Sequence, residues 1–551
     1  MCGVVGFVKN EKIVSTNITQ LLDSIKHRGP DAQTFFEDET VVLGHTRLSI
    51  VDIKEGGQPV VFENLVLIFN GEIYNYKTLR KELELLNYKF ATNSDTEVLL
   101  KAYHCYGNGF VDKLRGMFSF IIYDKINKEL TLARDYFGIK PLYIYLQKDN
   151  FYFSSEMMSL IQLLKENELT FNINKEAQIE YLSKGFISKS NIVDNAFELE
   201  KGKLFKYKNK KLYIERDINY YENNKGEDLE TVLSKEIKEQ LNADVEVGVL
   251  LSGGIDSSIV TALACSIQKN VSSYSVSFED ESTYDESKYS DFVANKFKTK
   301  HHKFLFTEKV LLSYLPKLID TMDIPIYDPA MLPMLFLCEN VSKTSKVVLS
   351  GDGGDELFAG YTHHRVLKYK KLFKLVNLIL KKVKLFKNVS LVIDNILKEN
   401  RSFESSIDFD QNIGLNYQLL RKTDLCSMKY GLEVRVPFLS KRVYNFSKNK
   451  KPASYINLKY GKLPLRKLVS KLINNDIAYK RKQGFRVPIR EWVVSGELGN
   501  EIHKDLTNSL LIEEDVLNSN QLSLFLSNKN KYYKELFSLY LLNNWLKKVK
   551  E

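Results

Sequence analysis

The chain has few cysteines and no arrangement of them that carries chemistry. The five (Cys2, Cys105, Cys265, Cys338, Cys426) are scattered through 551 residues, odd in number and without a CxxC pair. That excludes a disulfide framework and a paired-cysteine metal knuckle, and it points to a reducing cytoplasm. No run approaches the roughly 18 uninterrupted apolar residues of a membrane span, and the first residues lack a secretory signal pattern. There is no Gly-Lys-Ser/Thr and no Gly-x-Gly-x-x-Gly, so neither the usual P-loop nor the dinucleotide fingerprint is present. Internal repeats and low-complexity tracts are also missing. Charge of one sign is not concentrated: 79 Lys and Arg against 69 Asp and Glu leave +10, spread along the chain. This argues against a dedicated nucleic-acid binder. At 44% apolar and 27% charged residues, what remains is a soluble globular protein of roughly two to four domains.

The most informative stretch is Val249-Leu250-Leu251-Ser252-Gly253-Gly254-Ile255-Asp256-Ser257-Ser258. The apolar run Val245–Leu251, broken only by Glu246 and Gly248, predicts a buried parallel strand. Ile259-Val260 and Ala262-Leu263-Ala264 then open a helix. A strand, a Gly-rich turn and a helix N-terminus suit an anion: glycines admit close backbone approach, and helix-start N–H groups favour negative charge. Ser252, Ser257 and Ser258 add hydroxyls, and Asp256 can hold Mg²⁺. This S-G-G-x-D-S turn resembles the pyrophosphate loop of ATP pyrophosphatases. A second strand–turn–helix follows at Val347-Val348-Leu349-Ser350-Gly351-Asp352-Gly353-Gly354-Asp355-Glu356-Leu357. It joins glycines to carboxylates with no basic residue in the turn, which calls for a cation. Val271–Phe278 predicts a further strand, and the alternation implies a doubly wound α/β sheet.

The N-terminal part is organised differently. Removal of Met1 would leave Cys2 terminal, a thiol beside an α-amino base that titrates near 8. Leu65–Phe69 predicts a buried strand that breaks at Asn70-Gly71-Glu72, an amide side chain and a backbone N–H of the kind an oxyanion hole needs. Ser94 predicts a helix N-cap ahead of Asp95-Thr96-Glu97. Residues 222–228 are polar and read as a linker.

In order and spacing, MCGVVGF, HRGPD, HTRLSIVD, FNGEIYN and NSDTEVLL resemble the glutaminase domain of glutamine amidotransferases with an N-terminal nucleophile. The S-G-D-G-G-D-E-L-F-A-G-Y stretch, Gly431–Leu439 and Lys480–Pro488 resemble the synthetase domain of glutamine-hydrolysing asparagine synthetases. The resemblance implies an αββα glutaminase sandwich over 2–222 and a doubly wound parallel sheet with extra helices over 227–551. It also implies roles. Cys2 attacks glutamine, Asn70 and Gly71 hold the oxyanion, and Arg47, Ile50, Val51, Glu72 and Asp95 bind glutamine. Leu250, Ser252, Gly253, Gly254, Asp256, Ser257, Ser258, Val276, Ser350 and Gly351 bind ATP, and Asp256 and Asp355 hold Mg²⁺. Asp352 and Asp355 border the acceptor and adenylate, and Lys482 steadies the developing charge. The implied substrates are glutamine, aspartate and ATP, with neither nucleic acid nor membrane as a partner; a homodimer is compatible with this.

Four departures fall near the acceptor region. Asp352 stands where some members have Glu, which keeps a carboxylate one methylene shorter. Leu439 is followed by Ser440 where the family's usual residue is Asp. Asp424-Leu425 stands for Asp-Arg. Asp323-Ile324-Pro325-Ile326-Tyr327-Asp328-Pro329-Ala330 stands where one branch of aspartate-using enzymes carries a Thr-Thr-x-Arg-like segment. Another carboxylate acceptor, sugar-linked or a cell-wall precursor, is therefore the alternative to aspartate. The eight lysines from Arg365 to Lys387 inclusive read as a solvated helix face over the core.

Overall fold

The computed structural model describes residues 2–10, 17–222, 226–278, 286–381, 387–399, 401–480 and 487–551. Two six-stranded antiparallel sheets form from residues 3–217. Their strands alternate sides with period two, as half-buried strands must. In Leu65–Ile73, Val66 and Ile68 meet Val4, Leu43 and Ile121 between the sheets. Leu67 and Phe69 point instead to a layer holding Leu79, Leu83 and Val98, from the helices Tyr76–Leu85 and Asp95–Tyr106. In Gly3–Val8, Val5 and Phe7 face Leu21, Leu22 and Ile161, from the helices Ile18–Ser24 and Met157–Glu166. The layers are therefore helix, sheet, sheet, helix.

Two sequence expectations change here. The strand that should break at Asn70 runs on to Ile73, and Asn70 and Gly71 pair with Ser119 and Phe118. Central position decides this, because pairing on a neighbour outweighs the local turn preference of Asn-Gly. Glycine is still required at 71: its φ is 155°, and a Cβ there would lie 2.1 Å from the Met117 carbonyl. The lysine-rich helix Lys370–Leu380 does not lie flush on a core either, since Leu372, Leu375 and Leu378 are exposed beside its lysines.

The second half is built on five parallel strands in spatial order Lys300–Phe306, Ser272–Phe278, Val247–Leu250, Val347–Leu349, Glu433–Arg435. Numbered along the chain this is 3-2-1-4-5, the order of a doubly wound sheet. Strand order reverses between Val247–Leu250 and Val347–Leu349. Ligands of such sheets bind beyond the strand C-termini at that reversal, and there both Gly-rich turns emerge side by side.

Buried charge joins the two halves. Arg28 is fully buried; its guanidinium contacts Asp424 at 2.9 Å and Glu156 at 3.0 Å, and its Nε donates to the Cys2 carbonyl at 3.3 Å. Lys140 adds a contact to Asp424 at 3.4 Å. Glu198 pairs with Arg134 at 2.9 Å and with Arg421 at 3.0 Å. The short helix Arg421–Met428 thus touches the N-terminal half through Arg421 and Asp424. Breaking one partner of a buried pair leaves a charge uncompensated, at a cost of about 3–5 kcal/mol. Asp424→Asn should therefore lower the unfolding temperature. Calorimetry checks this; an unchanged unfolding temperature would show that the pair does not hold the two halves together.

Asp323, from one departing segment, is buried behind this interface. Its Oδ1 accepts the Met158 N–H at 2.6 Å while Oδ2 has no hydrogen-bond partner. Burial, then the nearby Glu156 carboxylate, pushes its carboxyl up to about 7. A folded-state value above the unfolded one favours the protonated native form. That contribution is complete below the ordinary carboxylate range and is lost as pH rises to about 7. Asp323→Asn keeps the acceptor oxygen and abolishes the titration. The difference in unfolding temperature between variant and wild type should grow in the variant's favour from pH 5 to pH 8, as scanned by calorimetry.

Candidate active sites

Cys2 immediately precedes the strand Gly3–Val8, which runs between two neighbours, Val41–Arg47 and Asn150–Ser154. The Cys2 main-chain N–H donates to Asn70 Oδ1 at 3.2 Å. With that oxygen engaged, the Asn70 Nδ2 is turned the other way, buried and without a hydrogen-bond partner. A buried amide donor beside a thiol is a site for a developing oxyanion. Burial pushes the Cys2 thiol up, against a backbone hydrogen bond from Leu48 and the charge of Arg47. The thiol consequently needs a base close by to become a thiolate.

Arg47 ends the strand Val41–Arg47, and the loop that follows wraps its guanidinium. It donates to the carbonyls of Ile53 at 3.1 Å, Val51 at 3.4 Å and Asp52 at 2.6 Å. Asp95 begins its helix behind the Ser94 cap, as the sequence predicts, and accepts the Ile73 N–H at 2.9 Å. Burial raises its carboxyl to about 6. Both residues are buried, so neither belongs to a surface ion pair. Ile50 and Val51 are buried in the same loop. Glu72 is turned elsewhere: its carboxylate lies 3.4 Å from Arg435 of the parallel sheet. Burial, with Asp95 beside it, holds it well above the usual range.

The two Gly-rich turns of the second half border a cavity of about 540 Å³. Leu250, Ser252, Gly254, Asp256, Ser257, Val276, Ser350, Gly351, Asp352 and Asp355 all line it. Ser252 and Ser257 bond each other at 3.0 Å, and Ser257 also donates to the Gly254 carbonyl at 3.3 Å. Gly253 and Ser258, also expected among the ATP ligands, are not among the lining residues. Gly253 takes φ +72° and packs on the next helix, where a Cβ would come 2.7 Å from the Ser290 nitrogen. Ser258 is fully buried one helical step past the cavity wall. Lys482 lies outside the described residues.

The carboxylate turn has a basic partner after all. Lys462 bonds Asp256 and lies 2.9 Å from Asp355 Oδ1. Burial opposes its charge, but the two carboxylates outweigh that and hold it above the ordinary lysine range. Nothing in its sequence marks Lys462 among 79 basic residues; only the fold brings it to this turn. Two acidic side chains converging on one cation-sized position are a donor set of hard oxygens, which fits Mg²⁺. Beside them Asp352 accepts from Ser350 at 3.0 Å and from Thr423 at 3.3 Å. Among the described residues no helix is long and apolar enough to cross a membrane.

Two protein families match the chain. A glutamine amidotransferase domain matches residues 1–221, and asparagine synthase matches residues 228–547. Asparagine synthetase [glutamine-hydrolyzing] 1 of Bacillus subtilis is 32% identical, over 92% of this chain and 89% of its own length. The chain belongs to the glutamine-hydrolysing asparagine synthetase family. A putative member from Methanocaldococcus jannaschii is 34% identical over 66% of this chain and 76% of its own. One from Mycobacterium tuberculosis H37Rv is 29% identical over 90% and 89%. Within this family the Cys2 region falls in the amidotransferase match, and both Gly-rich turns fall in the synthase match.

Proposed function

We propose that the chain makes asparagine from aspartate and glutamine with ATP, through a β-aspartyl-adenylate, releasing glutamate, AMP and pyrophosphate. The observation that carries this is the pairing in one chain of a buried Cys2–Asn70 site with a cavity bordered by two Gly-rich turns at the sheet's reversal point.

In the first half the Cys2 sulfur attacks the glutamine carboxamide carbon. The thiol proton passes by way of the α-amino group to the departing ammonia. Asn70 Nδ2 and the Gly71 N–H hold the oxygen as it gains charge. Arg47, planar and fixed by its loop, suits the substrate α-carboxylate, and Asp95 suits its ammonium. Water then clears the thioester to give glutamate.

In the second half the acceptor's side-chain carboxylate attacks the α-phosphorus of ATP and pyrophosphate leaves. Ammonia attacks the resulting mixed anhydride and AMP departs. Asp256 and Asp355 would hold Mg²⁺, which supplies charge neutralisation on the phosphates. Ser252, Ser257 and the Gly254-capped helix start orient them, Val276 and Leu250 border the nucleotide, and Lys482 would add positive charge. Ammonia protonates in bulk water and then no longer attacks, so transfer between the halves needs an enclosed route.

Pyrophosphate release with ATP, Mg²⁺ and glutamine, with and without aspartate, tests the reading. Aspartate-dependent release matched by asparagine in the mass spectrum is expected. Glutamate production with no effect of aspartate would overturn aspartate as the acceptor.

A further inference from the structure

Asp328 and Ala330 of the segment Asp323–Ala330, and Lys422 and Thr423 just ahead of Asp424, come together in the synthetase cavity. Tyr327 is anchored on the glutaminase half by its N–H to the Gly185 carbonyl at 2.7 Å. Asp328 follows, just ahead of the helix Met331–Val341. Its Oδ1 accepts the Ala330 N–H at 3.0 Å, and its carbonyl accepts the Met331 N–H at 2.9 Å. The other carboxylate oxygen, Oδ2, lies 2.9 Å from Lys422 Nζ. Both side chains line the cavity, with relative exposures of 17% and 14%. Burial works against the Lys422 charge, but Asp328 and then Asp352 outweigh it and hold the ammonium above its ordinary range.

This pair differs from the one at the phosphate turn. Lys462 is bracketed by two carboxylates and its cluster is net negative, which suits a cation or phosphate chemistry. Asp328 and Lys422 are one charge of each sign, side by side on a cavity wall. Replacing a buried ion pair by apolar residues is commonly neutral or stabilising, so stability alone is a weak reason to keep one there. A preformed pair of opposite charges matches a zwitterion laid against it head to tail. An α-carboxylate takes donors from Lys422, an α-ammonium donates to Asp328, and each charge stays compensated. A ligand held in this way keeps its side-chain carboxylate free to reach the neighbouring phosphate turns, where Asp352 is already fixed by Ser350 and Thr423.

We propose that Asp328 and Lys422 bind the α-ammonium and α-carboxylate of the acceptor, making the cavity selective for an α-amino acid that carries a side-chain carboxylate. This rests on the adenylating reading of the cavity and narrows its acceptor class, against sugar-linked or polymeric carboxylates.

The test uses the full-length enzyme driven by ammonium, which bypasses Cys2. Acceptor-dependent pyrophosphate release is measured with aspartate, with succinate (no ammonium) and with β-alanine (no α-carboxylate), and competitive inhibition is used where release is too slow. Wild type should prefer aspartate by at least about 100-fold, since a site built around buried polar groups rejects ligands that leave them unpaired. Asp328→Asn should weaken aspartate by about 100-fold while changing succinate by less than about 3-fold. Lys422→Gln should weaken aspartate as much while sparing β-alanine. KM for ATP should stay unchanged in both. Asp328→Glu and Lys422→Arg keep the charges and should keep the preference for aspartate with a raised KM, which separates recognition from misfolding. Equal losses with all three acceptors, or no loss with aspartate, overturn the pair's role while leaving the adenylating reading intact. Wild-type protein that releases no pyrophosphate with aspartate but does so with another carboxylate overturns the pair's role and aspartate as the acceptor, and no release with any carboxylate overturns the adenylating reading as well.

Discussion

Cys2→Ala should abolish glutamine-dependent amide formation, by at least about 10⁴-fold, and leave ammonium-dependent formation within about 3-fold of wild type. The first half of the expectation is chemical. Without sulfur no thioester forms, and no other nucleophile occupies its place at the head of the strand Gly3–Val8. The second half is structural. The contacts that fix residue 2 are made by its main chain: the N–H to Asn70 Oδ1 and the carbonyl to Arg28 Nε. Alanine keeps both and loses one buried atom, a change at the small end of large-to-small core substitutions. The Arg28–Asp424 contact to the second half should therefore survive. Parallel assays of glutamate, pyrophosphate and amide, with each nitrogen source, check this. Loss of ammonium-driven synthesis in a variant that still unfolds cooperatively at the wild-type temperature would show that the two sites are not separable.

The ease of reading this chain varies with how local the signal is. The turn at Ser252–Asp256 was legible because strand, glycines and helix follow one another along the sequence, and the same holds for Ser350–Asp355 and for Ser94 as a cap. The Asn70-Gly71 break was misread, since a dipeptide with turn preference sits in a strand whose pairing with Gly116–Asp124 dominates. Gly253 and Ser258 belong to the motif but are not among the residues that line the cavity; the helix Ile255–Ile267 is buried without a break from Ser257 to Ala264, so motif membership alone does not assign which residue meets the cavity. The long-range partners were not legible at all. Arg28 with Asp424, Glu72 with Arg435, and Lys462 with Asp256 and Asp355 are joined only by the docking of distant segments. In a chain with 79 basic residues no single lysine stands out. Asp328 was visible only within a segment that departs from a pattern, without a direction in which to point, and Lys422 was not visible at all.

Lys462→Met should reduce adenylate formation by about 10²–10⁴-fold, the range expected when one preorganised charge is removed from a water-poor site. Glutamine hydrolysis at Cys2 should stay within about 3-fold. Methionine keeps the length and apolar stem of lysine, so packing beneath the helix Leu463–Leu472 is retained. What changes is charge. Asp256 and Asp355 now converge with no ammonium between them, and two carboxylates sharing a position repel each other and hold a proton more tightly. Ammonium-driven pyrophosphate release should therefore show an acid limb moved to higher pH than in wild type, and should half-saturate at no higher Mg²⁺ above that limb, because the ammonium that shared the two carboxylates is gone. Asp256→Asn supplies the contrast: it removes one of the repelling charges, so it should lose adenylation without that rightward shift of the acid limb. Release measured over a Mg²⁺ series and from pH 6 to 9 distinguishes the two. If Lys462→Met released pyrophosphate at the wild-type rate, the lysine would be a bystander, and the phosphate chemistry would rest on the carboxylates and on residues beyond Lys480.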